Sequence, residues 1–530
     1  MSTGSSHAWK RATAAVATAV LALSLAACSS DTKESPDSTG DQTSTNGSQQ
    51  PAADHDLSVA IQVAPNSFDP AQLNDGQQAF VWGSILDTLL VRENGTGELK
   101  PNAAESWSYN EDGTQLTIKL RTGMTFSSGD PVTAESVRAT MQRTIDTPGI
   151  TQGKFAKVSG VSAPDDTTLV IDFSSFDPAF LPYLAQSAGA IGDPATLNDE
   201  RTATDPVGSG PYTLDTAKTV AGNTYVLERR DDYWNAEAFP FSRVTISVMP
   251  DPTAQFNALQ SGQINAAQIR GEMLAPIKND PSYTQTQVDA QAVMTLNIFD
   301  RAGEAFPELG DVRVRQAMSM AFDRETIVSK LLGGQGTVAG QMFSPLGKVF
   351  EDSLNNKYPY DPEQAKKLLA EAGYPNGFTL KIPSTYVTTA FEPTITQLLG
   401  AIGITLDWVA VPPQQAQSVT QSGEFGITFQ AIGLSSDAST ASDFYSENGF
   451  NNPRHFTDPK LAEIFGKINT TVDPAASLPY YQELNEYAID QAFLVPIAFS
   501  SGIWVTRDGV KMLDNGANGF STVHLFGYEG

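Results

Sequence analysis

From Asp56 to the C-terminus, short stretches of strict apolar alternation and longer stretches of helical spacing follow one another without segregating. Leu57-Ser58-Val59-Ala60-Ile61 places apolar groups on one face at a period of two and predicts a strand. Further strands are expected at 116–120, 168–173, 225–227, 244–248, 378–382, 404–411, 425–429, 495–499 and 503–505. Helices are expected at 79–90, 133–144, 253–260, 312–332, 362–372, 393–402, 461–468 and 478–491. Their ends carry recognisable punctuation. Thr133 is the expected N-cap of its helix, with Glu135 in the first turn. Ser261-Gly262 closes the helix at 253–260, Gly333-Gly334 ends the one at 312–332, and Asp361, Pro362 and Gly373 take the N-cap, N1 and C′ positions of another. Interleaved strands and helices restrict the chain to an α/β architecture with mixed sheets. No repeat of solenoid length is visible.

About 475 residues follow Asp56, enough for two or three domains with sizeable cores. Forty per cent hydrophobic residues, with Gly and Pro spread throughout, describe a globular chain. The net charge of −27 argues against nucleic-acid binding and against adhesion to anionic lipid. It names no ligand, because diffuse acidity also serves solubility.

Cys28 is the only cysteine, so no disulfide pair can form within the chain and packing must supply the stability. It follows Leu25-Ala26-Ala27, at the end of an uncharged stretch that begins after Lys10 and Arg11. Residues 1–27 read as a secretory signal, since the uncharged stretch is too short and too weakly apolar to span a membrane. The Leu-Ala-Ala-Cys ending resembles the bacterial lipoprotein signal, which implies acylation of Cys28 as the first mature residue. An ordinary signal peptide with a chance cysteine is the alternative. Residues 28–53 are almost entirely small and polar, and cannot bury enough surface to offset ordering entropy; a flexible tether is expected.

Several blocks then occur in a telling order. The densest is Pro101-Asn102-Ala103-Ala104-Glu105-Ser106-Trp107, Asp112-Gly113-Thr114, Leu120-Arg121-Thr122-Gly123-Met124-Thr125-Phe126 and Ser128-Gly129-Asp130-Pro131-Val132-Thr133-Ala134-Glu135-Ser136-Val137. After it come Gly208-Ser209-Gly210-Pro211-Tyr212, Asp232-Tyr233-Trp234, Ala258-Leu259-Gln260-Ser261-Gly262, Val312-Arg313-Val314-Arg315-Gln316-Ala317 with Asp323-Arg324, and Tyr360-Asp361-Pro362 with Ala372-Gly373-Tyr374. In these blocks the chain resembles the extracytoplasmic solute-binding proteins of the oligopeptide, dipeptide and nickel class (family 5 type), which serve ATP-binding-cassette (ABC) importers. The resemblance runs from Asp56 to the C-terminus. It departs from the family at Ser127 and Ser128, where members often carry His-Asp, at Ser136, often acidic, and at Leu434, near which many peptide binders have a Trp. Most matching residues also have a structural reading. Gly210-Pro211-Tyr212 suits a turn, with Gly for permissive φ and Pro for fixed φ. Trp107, Trp234 and Arg315 suit packing or ion pairing.

Catalytic motifs are missing from the sequence: it has no His-Glu-x-x-His, Cys-x-x-Cys, Gly-x-Ser-x-Gly or Walker loop. Gly334, Gly336 and Gly340 miss the dinucleotide spacing and follow an expected helix. His55, His455 and His524 are too scattered to form a local metal pair. The expectation is therefore a binding protein without catalytic residues, cofactor or metal, rather than a secreted hydrolase. Ligands favour domain junctions, and the stretch Gln430 to Asp437 after the strand at 425–429 is the best local candidate. The resemblance implies that a carboxylate for a peptide's amino group lies here, which selects Asp437. An N-cap or Asx-turn role for a helix at 438–444 is the equal alternative. Ser436 and Leu434 flank it, and Phe68, Phe444 and Tyr445 are weaker candidates that equally suit a core.

The resemblance further implies a two-lobe periplasmic-binding-protein-like fold with an extra inserted domain in the first lobe. Lobe 1 would combine a scaffold domain (54–97, 208–297 and 498–530) with an inserted domain (98–207); lobe 2 would be 298–497. Strands crossing near 297 and 497 would act as the hinge on which the lobes close over a ligand. The expected protein is a monomer, lipid-anchored through Cys28 on the outer face of the cell membrane, that delivers a peptide-like solute to an ABC permease and its ATPase. Oligosaccharide, an opine-like conjugate and a metal chelate are alternative ligands, and a sensing or chaperone lipoprotein is an alternative role.

Overall fold

Two long strands, Tyr283–Ile298 and Leu494–Arg507, pair antiparallel through the centre of the molecule. The computed structural model describes residues 55–93, 98–385, 388–412, 415–434, 436–513 and 522–529. The paired strands belong to a nine-stranded sheet whose order is Ile427–Gly433, Tyr283–Ile298, Leu494–Arg507, Ala266–Gln268, His55–Ile61, Phe241–Val248, Thr224–Arg229 and Tyr212–Leu214; Gly336–Val338 pairs with the second central strand off this path. His55–Ile61 lies parallel to Phe241–Val248, while most other ladders are antiparallel, so the sheet is mixed.

The central ladder is not continuous. It runs from Tyr283↔Arg507 to Val288↔Gly502, breaks, and resumes at Ala292↔Ser500. Ala290 sits in the break with φ of 49°, a left-handed conformation unusual for a residue with a side chain. On one side of the break Ala266–Gln268 extends the sheet; on the other, Ile427–Gly433 and Gly336–Val338 do. Each central strand therefore runs through both parts of the sheet, and its ladder is interrupted between them. The expected crossing points, 297 and 497, lie on these strands, beyond the break on the second-lobe side.

Hydrophobic cores follow the same division. Leu57, Trp82, Phe241, Trp504 and Phe526 centre the scaffold core. A four-stranded antiparallel sheet, ordered Ala104–Tyr109, Gln115–Leu120, Thr168–Phe173 and Val158–Asp165, packs with the helix Ala134–Asp146 around Ile118, Val137, Ile171 and Phe180. In the second lobe one core gathers Ile298, Met318, Leu399 and Ile427, and another gathers Phe343, Phe444, Leu461 and Leu484. The fold is the two-lobe α/β arrangement that the sequence implies.

Helix ends follow their local chemistry. Thr133 caps Ala134–Asp146 by accepting from Ser136 N, and Asp361 caps Pro362–Glu371 by accepting from Gln364 N. Three expectations need correction. The helix expected over 312–332 ends at Met320; Arg324–Thr326 then starts a new turn that continues as a π-turn over Ile327–Leu331. Asp323 caps that turn at Thr326 N, and buried Arg324 gives its Nε–H to the carbonyls of Ala339 and Pro496, each at 2.9 Å. The helix at 79–90 stops at Ile85, whose carbonyl accepts from Gly210 N at 2.8 Å. Close approach, not a permissive φ, is what requires glycine there: a Cβ on Gly208 would lie 1.9 Å from that carbonyl oxygen, and one on Gly210 would lie 2.7 Å from the carbonyl carbon. Finally, 495–499 and 503–505 are halves of one strand.

Candidate functional site

A cleft of about 800 Å³ opens between the lobes. Asp75, Arg92, Lys154, Asp177, Tyr183 and Gln186 face it from the first lobe. Leu434, Asp443, Phe450, Phe465 and Tyr481 face it from the second. Its walls thus carry both signs of charge among apolar side chains, as small-molecule sites do.

Asp443 lies near the end of the helix Asp437–Tyr445, which follows the strand Ile427–Gly433 and is capped by Ser436 accepting from Ser439 N at 3.1 Å. The carboxylate opens onto the cleft and is otherwise enclosed by protein. Desolvation pushes it up to about 6, against the pull of Lys154 and a hydrogen bond from Tyr183. A last-turn position, at the negative end of the helix dipole, is also unfavourable for an acid. Tyr183 belongs to the short helix Phe180–Tyr183 of the first lobe, so its bond to Asp443 joins the lobes across the cleft. Asp177 stands on the same wall as Tyr183; burial raises its carboxyl, and Asp177 in turn raises Asp443.

Lys154 cannot fully neutralise these acids, because it is engaged elsewhere. Its ammonium donates to Asp75 Oδ2, to Ser187 Oγ at 2.9 Å and to Gln186 Oε1 at 3.2 Å. Asp75 is bonded in turn to the same groups, its Oδ1 accepting from Ser187 N at 3.0 Å and its Oδ2 from Ser187 Oγ as well as Lys154. Arg92 ends the strand Leu90–Arg92 beside this cluster. Burial lowers its pKa, and Asp75 only partly offsets that. Ile150 and Phe450 also line the cleft, one from each lobe, and are 49% and 58% exposed. Large apolar groups left this open on two facing walls can grip an apolar part of a ligand.

Of the residues selected from sequence, Leu434 lines the cleft and is buried. Ser436 caps the helix. Asp437 occupies the first helical turn and is not a lining residue: its carboxylate accepts from Lys348 N at 3.1 Å and from Val349 N. Phe68 packs edge-on against Tyr225 in the scaffold core, while Phe444 and Tyr445 are buried in a second-lobe core. Cys28 lies outside the described residues. Asp443 was missed although it shares a helix with Asp437; six positions turn the side chain by roughly 240°, so the two acids face different ways. An uncapped acid in a last helical turn was the available signal.

Several of the recurring blocks serve the framework. Buried Asp87 accepts from Asn102 at 3.1 Å, Tyr233 at 3.0 Å and Trp234 at 3.3 Å, and Arg121 stacks 4.2 Å from the Trp234 ring centre. Arg315, expected to pack or pair, donates to the carbonyls of Gln491 and Leu309. His524 is half-buried, and desolvation of its ring lowers it to about 4, hence neutral. Among the described residues no group of three or more His, Cys, Asp or Glu could hold a metal, and no helix is long and apolar enough to cross a membrane.

Residues 98–453 match the family model described as bacterial extracellular solute-binding proteins, family 5, middle part. The chain belongs to that family. Among its family 5 relatives is heme-binding protein A of Haemophilus influenzae, 27% identical over 84% of this chain and 88% of the relative. The solved structure of the ABC transporter-associated periplasmic binding protein DppA of Helicobacter pylori, in complex with the peptide STSA, superposes with a TM-score of 0.78 at 20% identity, covering 90% of this chain and 98% of that one. Binding protein AgaA of Agrobacterium tumefaciens, in complex with agropinic acid, gives 0.78 at 24% identity over 90% and 99%. Family 5 is a family of bacterial extracellular solute-binding proteins, and this chain shares its fold with the solved binding proteins above.

Proposed function

We propose that this family 5 protein is a lipid-anchored receptor that captures a peptide-like solute between its lobes and delivers it to an ABC permease. The observation that carries the peptide reading is the cleft wall, where acids and cations stand together among apolar groups. A free peptide offers an ammonium, a carboxylate and side chains to such a surface. Its volume, about 800 Å³, is near the upper end of ordinary ligand sites (roughly 300–1,000 Å³) and suits a ligand of a few residues. Asp443, rather than Asp437, is the acid placed to meet the ammonium, because Asp437 already holds two backbone amides. Relatives that bind heme, or are solved with agropinic acid, accept other solutes on the same scaffold.

Lobe 1 is taken as 54–97, 208–297 and 498–530 with the inserted domain 98–207, and lobe 2 as 298–497, closing about the broken central ladder. Asp177 and Asp443 repel one another when the lobes approach, and a ligand ammonium between them would remove that penalty. Binding and closure are thereby linked, since the ligand favours the arrangement in which both acids reach it. The protein acts as a monomer, tethered by residues 28–53 and acyl chains on Cys28. Native mass spectrometry of freshly purified protein, followed by calorimetry with the ligand it reveals, tests this reading. A co-purifying peptide that compacts the protein in X-ray scattering is expected; a tightly held solute without an amino group would overturn the peptide assignment.

A further inference from the structure

Arg92 is the one cleft-lining residue with buried polar atoms that lack a hydrogen-bond partner among the described residues, and those atoms are Nε and Nη2. Together they form the side edge of the guanidinium, the fork that receives two oxygens of one planar oxyanion. Asp75, the neighbouring acid, does not fill it: its oxygens bond Lys154 and Ser187, and neither bonds Arg92 Nε or Nη2. Donors buried without partners are unfavourable, and a cation more so. Asp443, the acid that lines the cleft from the other lobe, takes its hydrogen bond from Tyr183 and not from Arg92. The cleft therefore has two charged stations of opposite sign on opposite lobes.

We infer that the side edge of Arg92 receives a carboxylate of the solute, making a free carboxylate a requirement for binding in this cleft. The inference rests on the cleft being the solute site, but not on the solute being a peptide. The carboxylate could be a peptide C-terminus or belong to a non-peptide acid, and both present the same two oxygens to the fork. Lys154 supplies no equivalent seat, because its three donors already have partners.

The test is calorimetry on the full chain with two matched panels. One holds tripeptides with free or amidated C-termini; the other holds non-peptide mono- and dicarboxylates and their methyl esters. Binding is expected only for free carboxylates. Arg92→Gln should weaken them thirtyfold or more, the usual loss when one member of a desolvated charge pair is removed. Arg92→Lys keeps the charge without the fork and should still lose about tenfold. Unchanged melting of both unliganded variants shows that the fold persists, and if Arg92→Gln melts early, Arg92→Lys carries the comparison. Binding by non-peptide acids alone, with dependence on Arg92, upholds the inference and sinks the peptide reading. Equal binding of amides or esters, unaltered affinity in both variants, or a co-purifying solute without a carboxylate overturns it.

Discussion

Replacing Asp443 by Asn should stabilise the unliganded protein while weakening its ligand. The carboxyl is raised from its ordinary 3.8 to about 6, with desolvation as the leading cause. Two units correspond to an upper bound of roughly 3 kcal/mol against the ionised form. Because the group opens onto the cleft, solvent screening reduces this to about 1–2 kcal/mol. The sign follows from linkage. Between about pH 4 and 6 the native state holds this proton more tightly than the unfolded chain, so stability falls as pH rises through that window. Below it the unfavourable contribution is absent, and above 6 it is complete. Asn keeps a partner for Tyr183 but carries no charge. Variant and wild type should therefore melt alike near pH 4 and diverge to a plateau above pH 6, the variant being more stable by on the order of one to a few degrees. Asp87, also raised to about 6 by burial, titrates in both proteins and cancels from the difference. Paired thermal scans from pH 4 to 8 without ligand make the measurement. A variant less stable than wild type at pH 8, or a difference independent of pH, refutes the reasoning. With ligand present the order should reverse, as expected where a site stores an unfavourable charge for its partner.

Asp437→Asn should weaken free and N-acetylated peptides equally and lower stability by about 1 kcal/mol, through its lost bonds to Lys348 and Val349 N; Asp443→Asn should discriminate between the two peptide forms, and calorimetry would reveal the opposite pattern if Asp437 met the ammonium. Phe450→Ala should leave stability within about 0.5 kcal/mol, since the ring is 58% exposed, yet reduce affinity for apolar ligands by more than about 1 kcal/mol. Gly502→Ala places a Cβ 2.2 Å from Gln268 Nε2 and 2.4 Å from Gln291 Oε1, the movable ends of two side chains bonded to each other, so chemical unfolding should show a loss of only about 1 kcal/mol, that of the displaced bond, and a loss above about 3 kcal/mol would show that the backbone at the broken ladder is crowded as well. Cys28→Ala should move the protein from the detergent phase to the soluble one without altering its melting, whereas an unmodified N-terminus elsewhere would remove the anchor.

Fold class, most elements and their caps were legible because they depend on local chemistry: alternation at Leu57–Ile61, Thr133 before its helix, Asp361-Pro362 before another. The break after Met320 was not, because it depends on carbonyls that tertiary structure brings to Arg324 from Ala339 and Pro496. Gly210 shows the same limit in a different way. Its place in a turn could be read, but the reason for glycine there is Ile85, which reaches it from the end of the helix Ala79–Ile85.

The site was hidden more deeply, and for a physical reason. A ligand station in a two-lobe protein is a polar group left incompletely satisfied by its own lobe, and satisfaction is a property of the folded whole. Asp437 and Asp443 look equally available in the sequence, yet one is consumed by the amides of Lys348 and Val349 while the other meets the far lobe through Tyr183. Arg92, Asp75 and Lys154 present two cations and one acid to the reader; only the bonds to Ser187 and Gln186 reveal that Lys154 is spent on the scaffold and Arg92 is not. Charge that the framework consumes positions the lobes, and charge that it leaves over selects the solute.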